Sequence, residues 1–295
     1  MTTHTPVLIK EVLQYLDVQP NENVIDCTVG EGGHTKLLLE KNGPVGKVLG
    51  IDLDAAQVEN SKLALVAFGE RAVLVNDSYA NIKNIVERTD FTPVHGILLD
   101  LGMSSWQLEK STRGFSFLRD EGLDMRYSLK SNLTAQTIVN EYPEAEIERI
   151  LREYGEERFS RQIATKIGHA RQSKRVKSTF ELRSIIQSAI PPEFRHGKIH
   201  VATRTFQALR IAVNKELDNL TAFLPQAISL LYPGGRLVVM SFHSLEDRIV
   251  KNFFKDQEHQ GIIKVLTKKP ITGSEQEVEQ NPRARSTKLR AIIKL

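Results

Sequence analysis

The first hundred residues alternate short apolar runs with segments of helical periodicity. The apolar runs are rich in β-branched residues and predict strands that are buried on both faces of a sheet. The segments between them place apolar residues three or four positions apart, as amphipathic helices do. Because strands and helices alternate, we predict a parallel sheet with right-handed crossovers. The predicted strands are residues 23–29, 47–52, 72–76 and 94–99, and the predicted helices are 35–41, 55–67 and 82–88.

The middle of the chain carries a different pattern. Residues 111–127 are rich in glycine, phenylalanine and charge, and residues 135–213 show only helical periodicity. The spacing of Ser178 and Glu181 predicts a capping box at the start of one of these helices. We therefore predict an inserted all-helical domain over residues 108–212.

The α/β pattern returns after residue 213. We predict an α/β fold in which residues 1–107 and 213–295 form one discontinuous domain. The further predicted elements are a helix at 217–231, a turn at 233–235, strands at 236–241, 262–267 and 288–294, and a mobile loop at 273–282.

Composition limits the class of protein. Of the 295 residues, 40% are hydrophobic and 26% are charged, which excludes collagen-like, coiled-coil and wholly disordered chains. The single cysteine, Cys27, cannot form an internal disulfide, as expected in a reducing compartment. Residues 1–10 lack the basic and apolar regions of a secretory signal, and no stretch approaches the ~18 apolar residues of a membrane span. We expect a cytoplasmic protein that does not interact with membranes.

Charge is distributed unevenly along the chain. The net charge is −6 over residues 1–107, +6 over 108–212 and +4 over 213–295. Residues 158–212 alone contain 12 basic and 2 acidic side chains. Such an excess attracts phosphate backbones, although a solvated helical face would show the same asymmetry.

A glycine-rich turn follows the first predicted strand. It reads Gly30-Glu31-Gly32-Gly33 and leads into a helix, which brings backbone N–H groups close to a ligand. Asp52 ends the next strand, 22 residues after Gly30, where an acid can accept a hydrogen bond from a ribose hydroxyl. The glycines do not follow the GxGxxG order, and Asp26 lies within the preceding strand. Both features favour S-adenosylmethionine over NAD as the cofactor.

Two further strand ends carry candidate ligand contacts. Asp77 and Tyr79 follow the third strand, where a carboxylate and an aromatic ring suit an adenine, although ordinary partial burial would explain Tyr79 equally well. The fourth strand leads into Asp100 and a turn that contains Ser104, Ser105 and Gln107. Open α/β sheets bind ligands at the carboxyl ends of their strands, so this turn is predicted to lie beside the cofactor.

Several long motifs are spread along nearly the whole chain, at residues 4–8, 26–34, 100–107, 113–117, 123–126, 241–247 and 286–290. Together they resemble the small-subunit ribosomal RNA cytosine-N4-methyltransferase family. The resemblance implies a class I S-adenosylmethionine-dependent methyltransferase sheet, Rossmann-like, with an inserted helical substrate domain. The implied substrate is a cytosine in the decoding centre of 16S ribosomal RNA, within a small ribosomal subunit, and a homodimer is possible.

The resemblance also assigns roles to individual residues. The implied cofactor contacts are Gly32, Gly33, His34, Asp52, Tyr79, Asp100 and Gln107. We expect Asp100, with the hydroxyls of Ser104 and Ser105, to accept hydrogen bonds from the cytosine amine and so orient its lone pair. The predicted RNA contacts are Arg113, Phe115, Arg126, Arg171, Lys174, Arg175 and His243, although core packing is the more usual role for Phe115 and His243 could be purely structural.

Other functions remain open from the sequence alone. The chain could methylate another RNA or DNA, be an NAD-dependent oxidoreductase, or bind RNA without catalysis. The histidines and acids show no HxxxH-type cluster, so we predict no metal centre.

Overall fold

The computed structural model describes residues 6–195, 197 and 199–295. His4 and Thr5, which open the first family motif, lie outside the described residues. The chain divides into two units, one formed by Met1–Gly102 with Leu217–Leu295 and the other by Met103–Glu216. Both junctions lie a few residues from the predicted ones, because one short helix starts at Ser105 and another helix continues to Asn214.

The first unit contains a seven-stranded mixed sheet in the order β3-β2-β1-β4-β5-β7-β6. The first five strands are parallel, whereas β7 pairs antiparallel with both β5 and β6. The predicted α/β class is therefore confirmed. The strands are β1 (Val24–Asp26), β2 (Val48–Asp52), β3 (Ala72–Asn76), β4 (Val94–Asp100), β5 (Leu231–Ser241), β6 (Ile263–Val265) and β7 (Lys288–Lys294).

Helices cover both faces of this sheet. Ile25 and Ile97 point into one core layer, and Val24 and Leu98 point into the other, because successive strand residues alternate between faces. Both faces of the central strands β1 and β4 are therefore buried, as their nearly continuous apolar sequences predict. The helices are α1 (Ile9–Leu16), α2 (Gly33–Lys41), α3 (Ala55–Ala64), α4 (Ile82–Thr89), α11 (Glu216–Leu230), α12 (Ser244–His259) and α13 (Glu275–Gln280).

Two predicted segments of the first unit differ in the structure. The predicted turn at 233–235 lies inside β5, where four residues of β5 (232–235) lie opposite one residue of β4 and Gly234 adopts a φ of 83°. The glycine permits a bulge, so the strand continues through it. The predicted mobile loop at 273–282 is wrong, because α13 forms there. Ser274 accepts a hydrogen bond from the Glu277 N–H and begins that helix.

The second unit is helical and has its own core. Its helices surround one apolar cluster, which includes Ile147, Ile163 and Leu182. The predicted capping box is confirmed, with reciprocal hydrogen bonds between Ser178 and Glu181. The helices are α5 (Ser105–Glu109), α6 (Ala135–Glu141), α7 (Glu144–Gly155), α8 (Ser160–Ser173), α9 (Thr179–Ala189) and α10 (Thr203–Asn214). None of the helices in the described ranges has the length and apolar character needed to cross a bilayer.

Candidate active site at the carboxyl edge of the sheet

The turn after β1 is held in place by Asp26. This side chain is 1% exposed, and it accepts a hydrogen bond of 2.6 Å from the Thr35 hydroxyl on α2 and one of 3.2 Å from the Thr28 N–H. Gly30 and Gly32 adopt φ values of 52° and 85°, which L side chains rarely do. Asp26 therefore fixes a turn whose backbone conformation requires glycine.

Asp52 connects the end of β2 to the same turn. Its Oδ2 accepts a hydrogen bond of 3.0 Å from the Gly30 N–H, and its Oδ1 accepts one of 2.9 Å from the Asp54 N–H. The side chain is only partly buried, so it remains accessible at the edge of the sheet. The structure thus brings together the glycine turn and the acid that the 22-residue spacing singles out.

Asp100 lies at the end of β4 and faces the helix after the glycine turn. Its Oδ1 accepts a hydrogen bond of 2.9 Å from the Gly102 N–H, and its own N–H donates to the Thr28 hydroxyl at 2.9 Å. Its Oδ2 lies 3.7 Å from Nε2 of His34, the second residue of α2. The sequence pattern does not reveal Thr28, which links the ends of β1 and β4 directly.

Several carboxyl groups lie at this edge of the sheet, where burial limits their hydration. Burial raises the pKa of Asp26 to about 6 and the pKa values of Asp52 and Asp100 to about 7. The charge of Asp26 also raises the pKa of the other two, and that of Glu246 raises the pKa of Asp100. A cation bound at this edge would stabilise the ionised carboxylates, whereas a pyrophosphate would be repelled by them.

The structure places Tyr79 just after β3, with its ring half-buried. The ring meets that of Phe223 edge-on, with centroids 5.4 Å apart. Asp77 accepts hydrogen bonds from the Ser78 N–H, the Asn81 amide and the Arg88 guanidinium at 2.7 to 2.9 Å. An adenine contact at Asp77 would therefore compete with these partners, while the Tyr79 contact stays a prediction.

His243 begins α12. Its Nδ1 accepts from the Glu246 N–H at 3.5 Å, and its Nε2 lies 3.1 Å from a carboxylate oxygen of Glu246. The other Glu246 oxygen accepts from the Phe242 N–H at 2.8 Å. These contacts are those of a capping box, so the structure gives His243 a positional role in the fold, and its substrate role stays a prediction.

Two of the family motifs meet at Asp247, which the sequence analysis does not single out. Its carboxylate accepts a hydrogen bond of 2.7 Å from Arg290 Nε and one of 3.2 Å from Lys288 Nζ. Asp247 and Arg290 are both at least nine-tenths buried. The pair connects the motif after β5 with the motif that contains β7.

The second unit contains Ser104, Ser105 and Gln107. Ser104 and Gln107 form a reciprocal capping box for α5, in which the side-chain oxygen Oε1 of Gln107 accepts a hydrogen bond of 3.0 Å from the Ser104 N–H. Gln107 is 8% exposed. A cofactor role for Gln107 and an amine-orienting role for the two serines stay predictions.

Three of the residues predicted to contact RNA already have partners within the second unit. Arg126 pairs with both carboxylate oxygens of Asp124 at 2.7 and 2.8 Å and donates to the Ser131 carbonyl. Arg113 donates to the carbonyls of Arg126 and Tyr127 and lies over the Trp106 ring. Phe115 is 6% exposed and stacks on the Tyr127 ring, so it belongs to the core. A phosphate at either arginine would have to displace these partners.

The basic residues around α8 fall into two groups. Arg171 donates to the carbonyls of Val139 and Tyr142, whereas Lys174 pairs with Glu181 and Arg175 with Glu141. Arg161 and Lys166 are exposed, and no carboxylate of a described residue lies within 4 Å of them. The exposed side of α8 is therefore the better-placed surface for a polyanion.

Comparison with known proteins identifies relatives along the whole chain. A model of the MraW methylase family matches residues 1–295. The chain is 46% identical to ribosomal RNA small subunit methyltransferase H of Persephonella marina, over 100% of both chains. It is also 46% identical to the proteins of that name from Thermotoga neapolitana, over 98% of this chain and 95% of the relative, and Dehalococcoides mccartyi, over 99% and 86%.

Proposed function

The chain belongs to the MraW methylase family, and on that premise we propose that it methylates N4 of a cytosine in the decoding centre of 16S ribosomal RNA. S-adenosylmethionine is the methyl donor, and the substrate is the RNA within a small ribosomal subunit. The observation that carries this proposal is that the similarity to relatives named for small-subunit ribosomal RNA covers both units of the chain.

The carboxyl edge fits this donor. S-adenosylmethionine carries a sulfonium cation and no pyrophosphate, which suits an edge formed by Asp26, Asp52 and Asp100. Gly32, Gly33, His34 and Asp52 are the residues that would hold it there. When bound, S-adenosylmethionine supplies an already activated methyl group, so the task of the chain is mainly to orient the acceptor.

Asp100 is the residue best placed to orient that acceptor. The cytosine amine is a weak nucleophile because its lone pair is delocalised into the ring. A carboxylate that accepts an N–H hydrogen bond favours a pyramidal nitrogen with its lone pair directed outward. The Gly102 N–H holds Oδ1 of Asp100 at 2.9 Å, which leaves Oδ2, on the His34 side, to accept from the amine.

We expect the affinity for S-adenosylmethionine to rise as the pH is raised from about 5.5 to about 8. Asp52 and Asp100 have pKa values of about 7 in the free protein, and a bound cation favours their ionised forms, so protons leave on binding. Each carboxyl that must ionise contributes up to about tenfold per pH unit below its pKa. Calorimetric titration in buffers of different ionisation enthalpy measures both the affinity and the protons released.

Asp52→Asn provides the matched control for this pH dependence. It keeps an oxygen for the Gly30 N–H, loses the acceptor of the Asp54 N–H and removes one titrating group. The affinity should therefore be lower overall, and its pH profile should become shallower. An affinity that stays constant, or that falls as the pH rises, would contradict the assignment of the donor to this edge.

Reversing the charges of Arg161 and Lys166 together should weaken RNA binding. Both residues are exposed on α8, which contains no acidic residue. The slope of log affinity against log salt concentration should become less steep by about 1 to 2. Each lost phosphate contact reduces this slope by about 0.7 for a single-stranded nucleic acid. Filter binding across a salt series measures this slope.

The control for this experiment is Arg152→Glu on α7. Arg152 is exposed but already lies 3.5 Å from a Glu148 carboxylate oxygen, and it should contribute little to RNA binding. If the double variant and the control bind RNA alike at every salt concentration, α8 is not the RNA surface.

The proposed substrate is tested by nucleoside analysis. Small ribosomal subunits that lack the modification are incubated with the protein and methyl-labelled S-adenosylmethionine, and the digested RNA is analysed by mass spectrometry. The proposal predicts labelled N4-methylcytidine at a decoding-centre position. Label in another nucleoside, or no label in the small-subunit RNA, would overturn it.

A further inference from the structure

A ladder of aromatic rings runs from the core of the second unit to its surface. Phe206, on α10, is 4% exposed and meets the ring of Phe117 edge-on at 5.3 Å between centroids. Phe117 is half-buried and stacks on the imidazole of His200, with centroids 4.7 Å apart and planes inclined by 20°. His200 is exposed, so the ladder ends in a flat ring at the surface.

The His200 ring is held by three different segments. Phe117 supports one of its faces, the Ala202 N–H donates to Nδ1 at 3.1 Å, and the Gln187 amide on α9 lies 3.5 Å from Nε2. An exposed side chain that is restrained in this way loses little conformational entropy when a ligand covers it.

The surroundings of the ring are cationic. The Arg183 guanidinium lies over the Phe180 ring at 4.2 Å and donates to the Phe117 carbonyl at 3.1 Å. No carboxylate of a described residue lies within 4 Å of it. Partial burial, and then the charge of Arg183, lower the pKa of His200, so its ring stays neutral at neutral pH.

We propose that His200, supported by Phe117 and flanked by Arg183, forms a stacking platform for an unpaired nucleobase of the RNA substrate. A neutral, flat ring offers its face to a base, and the positive charge of Arg183, which keeps its contacts with the Phe117 carbonyl and the Phe180 ring, attracts the RNA backbone without a direct phosphate contact. The proposal rests on the proposed function for its RNA ligand, and it adds a contact made by residues other than the α8 cations. It also accounts for an exposed ring that three segments of the chain hold in position.

The proposal is tested with the full chain and a short single-stranded RNA of mixed sequence that carries one 2-aminopurine. Stacking quenches the fluorescence of this base. We expect His200→Ala to weaken binding by about 5- to 100-fold, the range found when one stacked base loses its aromatic partner, and to reduce the quenching. His200→Phe keeps a ring on Phe117 and should retain most of the affinity and quenching.

Two controls separate stacking from other causes. His259→Ala, at an exposed histidine on α12 of the first unit, should leave both signals unchanged. Because the lost contact is uncharged, His200→Ala should keep the wild-type salt slope, which a loss of phosphate contacts would reduce. If His200→Ala lost affinity only because the protein is destabilised, His200→Phe should lose affinity as well.

The possible failures are distinct. If the wild type methylates ribosomal RNA but His200→Ala binds and quenches like the wild type, the stacking proposal is overturned and the proposed function stands. If His200→Ala changes the sedimentation of the protein but not its RNA affinity, the ring contacts a second copy of the protein. The stacking proposal is then overturned as well. If the wild type transfers no methyl group to RNA, the proposed function itself is wrong.

Discussion

Asp100→Asn is expected to lower the rate of methyl transfer by about 10²- to 10³-fold, the usual cost of removing one preorganised hydrogen-bonding group at a reacting centre. The asparagine can still accept the Gly102 N–H through Oδ1, so the turn after β4 should persist. At the Oδ2 position, however, a neutral NH₂ donor would face the cytosine amine. The amine would lose its acceptor, and the edge would lose a negative charge. Single-turnover kinetics with saturating donor and RNA measure this loss.

Asp90→Asn is the control for that experiment. Asp90 is exposed, follows α4 and precedes β4, so it lies at the opposite end of that strand from Asp100. Its φ of 49° is one that asparagine tolerates well. The control should retain wild-type turnover. A folded Asp100→Asn protein with near-normal turnover would remove Asp100 from the proposed role.

Asp247→Ala is expected to cost about 3–5 kcal/mol of unfolding free energy, since it leaves the buried guanidinium of Arg290 without its carboxylate. Lys288 loses the same partner. Urea denaturation followed by circular dichroism measures the change. The expected loss is large because Arg290 is only 7% exposed and water cannot replace the missing oxygen.

A surface ion pair supplies the comparison. Glu59 lies 2.7 Å from Lys62 on the exposed side of α3, and its side chain is 68% exposed. Glu59→Ala should therefore change the stability by no more than about 0.5 kcal/mol. If Asp247→Ala is no more damaging than Glu59→Ala, the Asp247–Arg290 pair does not stabilise the fold as described.

The convergence of Asp52 and Asp100 on the glycine turn was predictable from the sequence. Each lies at the end of a strand whose nearly continuous apolar sequence is typical of a parallel sheet. The carboxyl ends of parallel strands meet at one edge of the sheet. The contact of Asp52 with the Gly30 N–H fits the spacing argument directly. What the spacing could not reveal is Thr28, because a threonine hydroxyl that accepts from a backbone N–H leaves no periodic signal.

The partners of the arginines were not predictable in the same way. Composition shows where cations are dense, but it does not show which acid or carbonyl each one meets. Arg126 pairs with Asp124, two residues earlier, and Arg171 turns to carbonyls contributed by α6 and the residue after it. The charge pattern therefore indicates where cations are dense, Arg161 and Lys166 included, while the structure shows which of these cations already have partners.

The local sequence pattern also fails to predict a short element that depends on contacts between residues far apart in the chain. The helix α13 has no apolar stripe, and its sequence reads as a polar loop. It is stabilised by the Ser274 cap and by a hydrogen bond of 2.6 Å from the Leu8 N–H to the Glu277 carboxylate, 269 residues apart. Contacts of that range are invisible to an analysis that uses neighbouring residues.

The central claim is that S-adenosylmethionine binds where the strands β1, β2 and β4 end. A crystal structure of the protein soaked with S-adenosylmethionine tests it most directly. The account predicts density for the donor along the glycine turn, in contact with Asp52 and Asp100. Density for the donor at any other place on the chain, with this edge empty, would contradict it.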